Sequence, residues 1–266
     1  MKTKFILTLT VLSLVFASCK KKETDTPADP TPTPTPSPTY VISKDSTVEG
    51  SSIRVGVYEY NSSKKLVRVK YKLGASTNYT VRDTVIYNAN GQVSQVNTLA
   101  TGSLTPLATS NYSYNGNLLT SVNETVTDGG SPYVRTRSYT YTAGLLSTIS
   151  VNYSVGSPSP GKPENFTAIA FLGGNISSAN LTAVGALTFS TSTAAPNPYY
   201  GLNFRSDDIL NNFNQNNVLS VFVTASPSTI LISYTYTYDE NRRVIMINEN
   251  KPLNPNRVTT ISYKTL

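Results

Sequence analysis

From about residue 53 to residue 250 the chain alternates apolar or aromatic residues with hydroxyl and amide residues, at the two-residue period of a β-strand. In the run 149–155, Ile149, Val151, Tyr153 and Val155 share one face, while Ser150, Asn152 and Ser154 share the other. A longer period is laid over this one. Tyr60, Tyr87, Tyr114 and Tyr141 follow at intervals of 27 residues, each closing a strand-like run before a turn-rich segment. The units run Tyr58 to Leu66, Val85 to Val93, Tyr112 to Leu119 and Tyr139 to Leu146, with a further copy from Tyr236 to Val244 and a degenerate one around Phe171 to Ile176. Three residues after the closing aliphatic of the five full units stands another: Val69, Val96, Val122, Ile149 and Ile247.

Aromatics two residues apart share a strand face, Asn and Gly accept the positive φ of tight turns, and the returning strand begins at Leu or Val, so each unit reads as a β-hairpin. About ten residues, or roughly 33 Å, remain for each strand. The expected fold is therefore all-β: an antiparallel meander of hairpin repeats forming one curled, barrel-like or strongly bent sheet over residues 41–266. Between 196 and 230 the hydroxyl-rich alternation lapses, and Ser206-Asp-Asp-Ile-Leu210 predicts a short helix with an N-cap serine inside a decorated crossover.

The N-terminus is of another kind. Met1 to Lys4 is basic, Phe5 to Phe16 is apolar, and Ala17-Ser18 stands directly before Cys19, the one cysteine of the chain. A stretch of twelve residues is too short for a mature transmembrane helix. The segment resembles a bacterial lipoprotein signal peptide, with Phe16 where that family has Leu. The resemblance implies removal of residues 1–18, lipidation of Cys19 and attachment to a membrane. Lys20, in place of the Asp that holds enterobacterial lipoproteins at the inner membrane, implies the outer membrane, with the cell surface and the periplasmic face both open. Pro occupies 27, 30, 32, 34, 36 and 38, so residues 19–40 read as a polyproline II stalk that reaches roughly 60 Å.

Composition narrows the chemistry. With no His and one Cys, the chain lacks the parts for a Ser-His-Asp or Cys-His nucleophile, a histidine base or a common zinc site, and no cofactor or metal is expected. A formal charge of +7 is modest for 266 residues. Arg68, Lys70 and Lys72, on one strand face near Lys64, Lys65 and Arg82, read as a solvated sheet face, and nucleic acid is not expected as a partner. The acidic pairs Asp207-Asp208 and Asp239-Glu240 point to opposite strand faces and fit a helix cap and a hairpin turn better than the facing carboxylates of a glycosidase. Glu59, Asp83, Glu124 and Arg137 interrupt any lipid-facing band, so a tethered barrel outside the bilayer is favoured over a membrane-spanning one.

The repeat resembles the YD repeat of bacterial wall-associated and Rhs-type proteins, Tyr-x-Tyr-Asp-x-x-Gly-x-Leu-x-x-Val. It is similar also to Bacteroidota lipoproteins described as porin-like in fold, whose pattern Asn197-Pro-Tyr199 and Asn216-Asn217 share. Tyr238-Asp239 keeps the YD dipeptide; Asn61, Asn88 and Asn115 replace the Asp, Thr142 departs further, and Gly is missing from the first and last units. The resemblance implies architecture and no known activity. The functional expectation is a non-catalytic envelope lipoprotein, a binding or interaction module of unknown ligand for which a glycan or an envelope protein is a candidate partner. Its alternatives are a glycan-binding lipoprotein of a nutrient-uptake system and a carboxylate-dependent glycoside hydrolase. The short Asn/Gly turns are alike, whereas the opposite connections vary, which puts the expected ligand contacts at Tyr133, Arg135 and Lys162.

Overall fold

The computed structural model describes residues 39–127, 132–154, 165–182, 184–200, 213–226, 229–252 and 254–266. Cys19, the segments on either side of it, Lys162 and Ser206 to Leu210 lie outside them. Sixteen strands follow in chain order: β1 (Tyr40–Glu49), β2 (Ser52–Tyr60), β3 (Leu66–Leu73), β4 (Val81–Tyr87), β5 (Val93–Ala100), β6 (Pro106–Asn115), β7 (Leu118–Val126), β8 (Tyr133–Thr142), β9 (Leu145–Tyr153), β10 (Phe166–Leu172), β11 (Asn175–Leu181), β12 (Gly185–Pro196), β13 (Asn216–Val223), β14 (Ile230–Tyr238), β15 (Val244–Asn250) and β16 (Arg257–Thr265). Every strand pairs antiparallel with its sequence neighbours, and β16 returns to pair with β1. The all-β meander expected from the periodicity is thus a closed barrel, with no α-helix among the described residues.

The three-residue spacing of the aliphatics has a structural cause. In each of the five full units the pairing slips by one residue just before the hairpin turn, between Glu59 and Tyr60, Ile86 and Tyr87, Ser113 and Tyr114, Thr140 and Tyr141, and Thr237 and Tyr238. The extra residue lies on the returning strand: Val67, Ser94, Thr120, Ser147 and Ile245. A bulge of this kind turns two residues three apart to the same side. Leu66 and Val69, Leu119 and Val122, and Leu146 and Ile149 accordingly all point inward and are no more than 5% exposed.

The bulge also sets the role of the tyrosines. Tyr58, Tyr112 and Tyr139, the first of each aromatic pair, are buried in the core. The second reaches sideways to the neighbouring hairpin. Tyr60 donates to the carbonyl of Ile42 at 3.0 Å, Tyr87 to that of Leu66 at 2.8 Å and Tyr141 to that of Leu119 at 2.9 Å. Tyr263 closes the belt on Val244 at 2.9 Å. Each acceptor opens a bulge, so a hydroxyl from the next repeat satisfies an oxygen near the break in the ladder.

Outward positions carry Thr109, Asn111 and Ser113 on β6, Thr136, Ser138 and Thr140 on β8, and Ser233, Thr235 and Thr237 on β14. Arg68 and Lys70 lie on the same outer face and pair with Glu59. Side chains alone fill a barrel of about eight strands, whereas one of sixteen needs more. Here the connection from β12 to β13 contributes. The Tyr199 hydroxyl donates to Asp45 at 3.2 Å, and the Phe213 ring lies 5.9 Å from that of Tyr139. Asn214, fully buried, accepts from the Ile176 amide at 2.6 Å, while Asn197 donates to the Asn214 carbonyl at 3.0 Å and Asn175 accepts from the Asn216 amide at 2.7 Å.

Candidate functional site

The lumen has two chemically distinct ends. The Asn/Gly end holds the tyrosine belt, the β12–β13 connection, Tyr40 at the start of β1 and Thr265 at the end of β16. A cleft of about 600 Å³ opens there among Tyr40, Tyr60, Tyr263 and Arg243. Its ring faces are occupied by the protein's own cations. The Arg243 guanidinium sits 4.0 Å from the Tyr40 ring centre and 5.1 Å from that of Tyr263, and Lys264 covers Tyr60 at 5.0 Å. Asp239 holds Arg243 in place through its Nε at 2.7 Å. Burial pushes the hydroxyls of Tyr60 and Tyr263 up to about 12, so both stay neutral donors at neutral pH.

The opposite end is charged. Two residues beyond the repeated inward aliphatics stand Tyr71, Thr98, Glu124, Val151 and Glu249, which occupy one inward position of successive repeats. Strand alternation turns them into the lumen, and their partners come from adjacent strands. Asp83 accepts from Tyr71 at 2.8 Å and from Thr98 at 2.7 Å. Glu249 pairs with Lys251 at 2.6 Å and with Arg257 at 3.3 Å, and Arg257 also reaches Glu49 at 3.4 Å. A cleft of about 500 Å³ lies at this end, lined by Glu49, Arg54 and Arg257 among others.

Tyr133 opens β8 and is half-buried, its ring 6.3 Å from that of Tyr153. Arg135 faces the lumen, and its Nε donates to Glu124 at 3.0 Å. That carboxylate and its hydrogen bonds hold the Arg135 proton more firmly than in water, although burial alone works the other way. Tyr133 and Arg135 therefore share one end of one strand, and Lys162 lies outside the described residues. Of the four charged residues expected to interrupt an outward band, only Glu59 faces out; Asp83, Glu124 and Arg137 face the lumen, since each shares strand phase with a buried inward residue, Val85, Val122 and Tyr139. Asp45 and Asp83 are both engaged there: Asp45, 1% exposed, accepts from Tyr58 at 2.8 Å. Their phase was the available signal, since Asp83 stands two residues before the core Val85 and Asp45 three after the core Ile42, across a bulge.

No model of a protein family matches the chain, and no curated protein matches it in sequence. Two solved structures share its fold. A porin-like protein from Bacteroides uniformis aligns over 85% of this chain and 98% of its own, with 15% identity and a TM-score of 0.50. A porin-like protein from Bacteroides vulgatus aligns over 86% of this chain and 100% of its own, with 14% identity and a TM-score of 0.50. At such identities the likeness is one of fold: the chain is similar to these barrels along nearly their whole length.

Proposed function

We propose that this protein is a non-catalytic binding barrel of the cell envelope, tethered by a lipid on Cys19 and working in the aqueous phase beside the membrane. The observation that carries the reading is the inversion of the sheet. On β6, β8 and β14 hydroxyl and amide side chains predominate outward and Arg68 and Lys70 stand outward on β3, with apolar residues such as Ile53, Ile86, Val134 and Leu219 interspersed, while the tyrosine and aliphatic core lines the inside; a membrane-spanning barrel needs a continuous apolar band outward. The porin-like label of the two similar barrels is in keeping with an envelope setting. The inward carboxylates support a non-catalytic role. Asp45, Asp83, Glu124 and Glu249 each accept from tyrosine, threonine, lysine or arginine, which suits a network that fixes shape.

Tyr40, the first strand residue, stands at the Asn/Gly end. The connections at the opposite end vary from repeat to repeat, which suits a ligand, and Tyr133, Arg135 and Lys162 are the proposed contacts. A glycan of the envelope or of a nutrient suits the paired Tyr133 and Tyr153 rings and the cationic side chains. Two measurements test the proposal. An alkyne fatty acid fed to cells should label the wild type and leave Cys19→Ala unlabelled; equal labelling removes the anchor from the reading. A glycan array should give a hit whose affinity drops about tenfold, or about 1.4 kcal/mol, in Lys162→Ala at unchanged melting temperature. Loss only on altering the Asn/Gly turns would put the site at the wrong end.

A further inference from the structure

Among the described residues, one inward arginine has to share its carboxylate with another. Arg137 lies in the middle of β8 and is 1% exposed. The ladder puts it opposite Val122 on β7 and Val151 on β9, both fully buried, so its stem rises between two apolar side chains. Its Nε and Nη2 have no hydrogen-bond partner. The nearest carboxylate oxygen, Oε2 of Glu124, is 3.8 Å from Nη2, outside hydrogen-bond reach. That same oxygen is already taken by Arg135, through Nε at 3.0 Å and through a closer contact from Nη2.

The phenol of Tyr112 is in the same condition. It is 8% exposed, and its oxygen has no hydrogen-bond partner. Tyr112 pairs with Val122 from the β6 side while Arg137 pairs with it from the β8 side. The two long side chains thus rise from one row of the sheet and flank a single small residue. Both are donors. A guanidinium does not lose its proton in a protein, so it cannot relieve its burial by turning neutral. Among the described residues, Arg135 and Arg137 share the single carboxylate of Glu124, which leaves one positive charge in excess. An uncompensated buried charge is among the costlier features a fold can carry. A water molecule could accept from these donors but would leave the charge in place.

We propose that Arg137 and Tyr112 form an internal site for one small monovalent anion, a halide or a compact carboxylate, seated over Val122 and held by Nε and Nη2 of Arg137 and the Tyr112 hydroxyl. The single charge of the ligand follows from the single excess charge of the layer. Its small size follows from the enclosure of Arg137. The anion supplies the acceptor that the described residues do not, and its presence couples the stability of the lumen to the ions around the protein.

The experiment is a thermal-unfolding titration of the full chain at constant ionic strength, in which a large organic anion is replaced stepwise by chloride, bromide or formate. Tm should rise along a saturable curve for at least one of them. Arg137→Met should abolish that dependence, and Tyr112→Phe should keep it with an apparent Kd about tenfold weaker. Crystals soaked in bromide should show an anomalous peak between the Arg137 guanidinium and Tyr112. A wild-type Tm indifferent to the anion marks the site as merely hydrated and overturns the proposal. So does a bromide peak elsewhere in the barrel, or an Arg137→Met variant that keeps the full response. Should Arg137→Met fail to fold, the wild-type titration, the Tyr112→Phe variant and the bromide peak still decide the question.

Discussion

Replacing Gly56 with alanine should destabilise the barrel, although glycine within a strand is ordinarily the worse residue, by about 0.5–1 kcal/mol. The reversal of sign comes from one contact. A methyl group at residue 56 would stand 2.5 Å from Oδ1 of Asp45 and 3.5 Å from the rings of Tyr58 and Tyr71. The overlap with the oxygen is about 1 Å, measured against an ordinary contact. Asp45 has little room to retreat. It is 1% exposed, and its other oxygen is held by Tyr58 at 2.8 Å and Tyr199 at 3.2 Å. Overpacking of this kind costs about 1–3 kcal/mol. In a domain of this size that lowers Tm by roughly 3–10 °C, measurable by circular dichroism. A double-mutant cycle identifies the cause. In a Tyr58→Phe background the carboxylate has lost one tether, so the added cost of Gly56→Ala should shrink. A Gly56→Ala variant as stable as the wild type, or a penalty unchanged by Tyr58→Phe, would refute the reasoning.

Arg242 adopts a φ of 60° at the position where the second unit uses Gly91, so Arg242→Gly should relieve strain worth about 1 kcal/mol and raise Tm by roughly 2–4 °C. Asn214→Ala removes the acceptor of the buried Ile176 amide, and a loss of about 1–3 kcal/mol with faster hydrogen exchange at Ile176 is expected. Burial raises the Tyr60, Tyr141 and Tyr263 hydroxyls from 10.0 to about 12. The stability tied to their neutral forms is complete below pH 10 and is lost as pH rises through 12, so absorbance at the tyrosinate band and loss of β-structure should rise together in that window.

The repeat was legible because the barrel reuses one solution. Asn61, Asn88 and Asp239 stand at the same turn position, and each side-chain oxygen accepts the amide four residues on: from Lys65 at 2.9 Å, from Gln92 at 3.0 Å and from Arg243 at 2.9 Å. An oxygen acceptor is all the position requires, which is why Asn replaces the Asp of the YD motif without altering the hairpin. The missing glycines have a similar account. Lys64 and Arg242 take up φ values of 61° and 60°, close to the 79° of Gly91, so the turn persists where the residue that favours it is absent. The third and fourth units turn more tightly, Asn115 pairing with Leu118 and Thr142 with Leu145, so neither Asn115 nor Thr142 serves as that acceptor. The bulge was written in the same residues, as the three-residue spacing from Leu66 to Val69, but a hairpin without a bulge accounts for the period equally well. The interior was harder to read. Nothing local in Asn197-Pro-Tyr199 says that a tyrosine from β12–β13 meets an aspartate from β1, 154 residues away in sequence.

The two halves of each inward-facing row answer to different demands. At the Asn/Gly end the bulge and the neighbouring tyrosine constrain one another, so an aliphatic must recur: Val69, Val96, Val122, Ile149 and Ile247. Two residues further along, the same side of the sheet no longer belongs to a bulge, a turn or the belt, and the residues there are Tyr71, Thr98, Glu124, Val151 and Glu249. Their chemistry varies while the backbone that presents them repeats. Lumen chemistry can therefore change at the far end without disturbing the hairpins that close the barrel. The packed half also supplies rigidity, since its buried tyrosines and aliphatics hold both ends of each strand in register. Arg135 and Arg137 fall at the junction of the two halves. Arg135 has found a carboxylate in the variable row, whereas Arg137 stands level with the aliphatic Val122, at the repeat position that Asp83 holds beside Val69 two units earlier. One place in the row thus carries an acid in one unit and a cation in another, and the acid finds donors in Tyr71 and Thr98 while Nε and Nη2 of the cation find no acceptor.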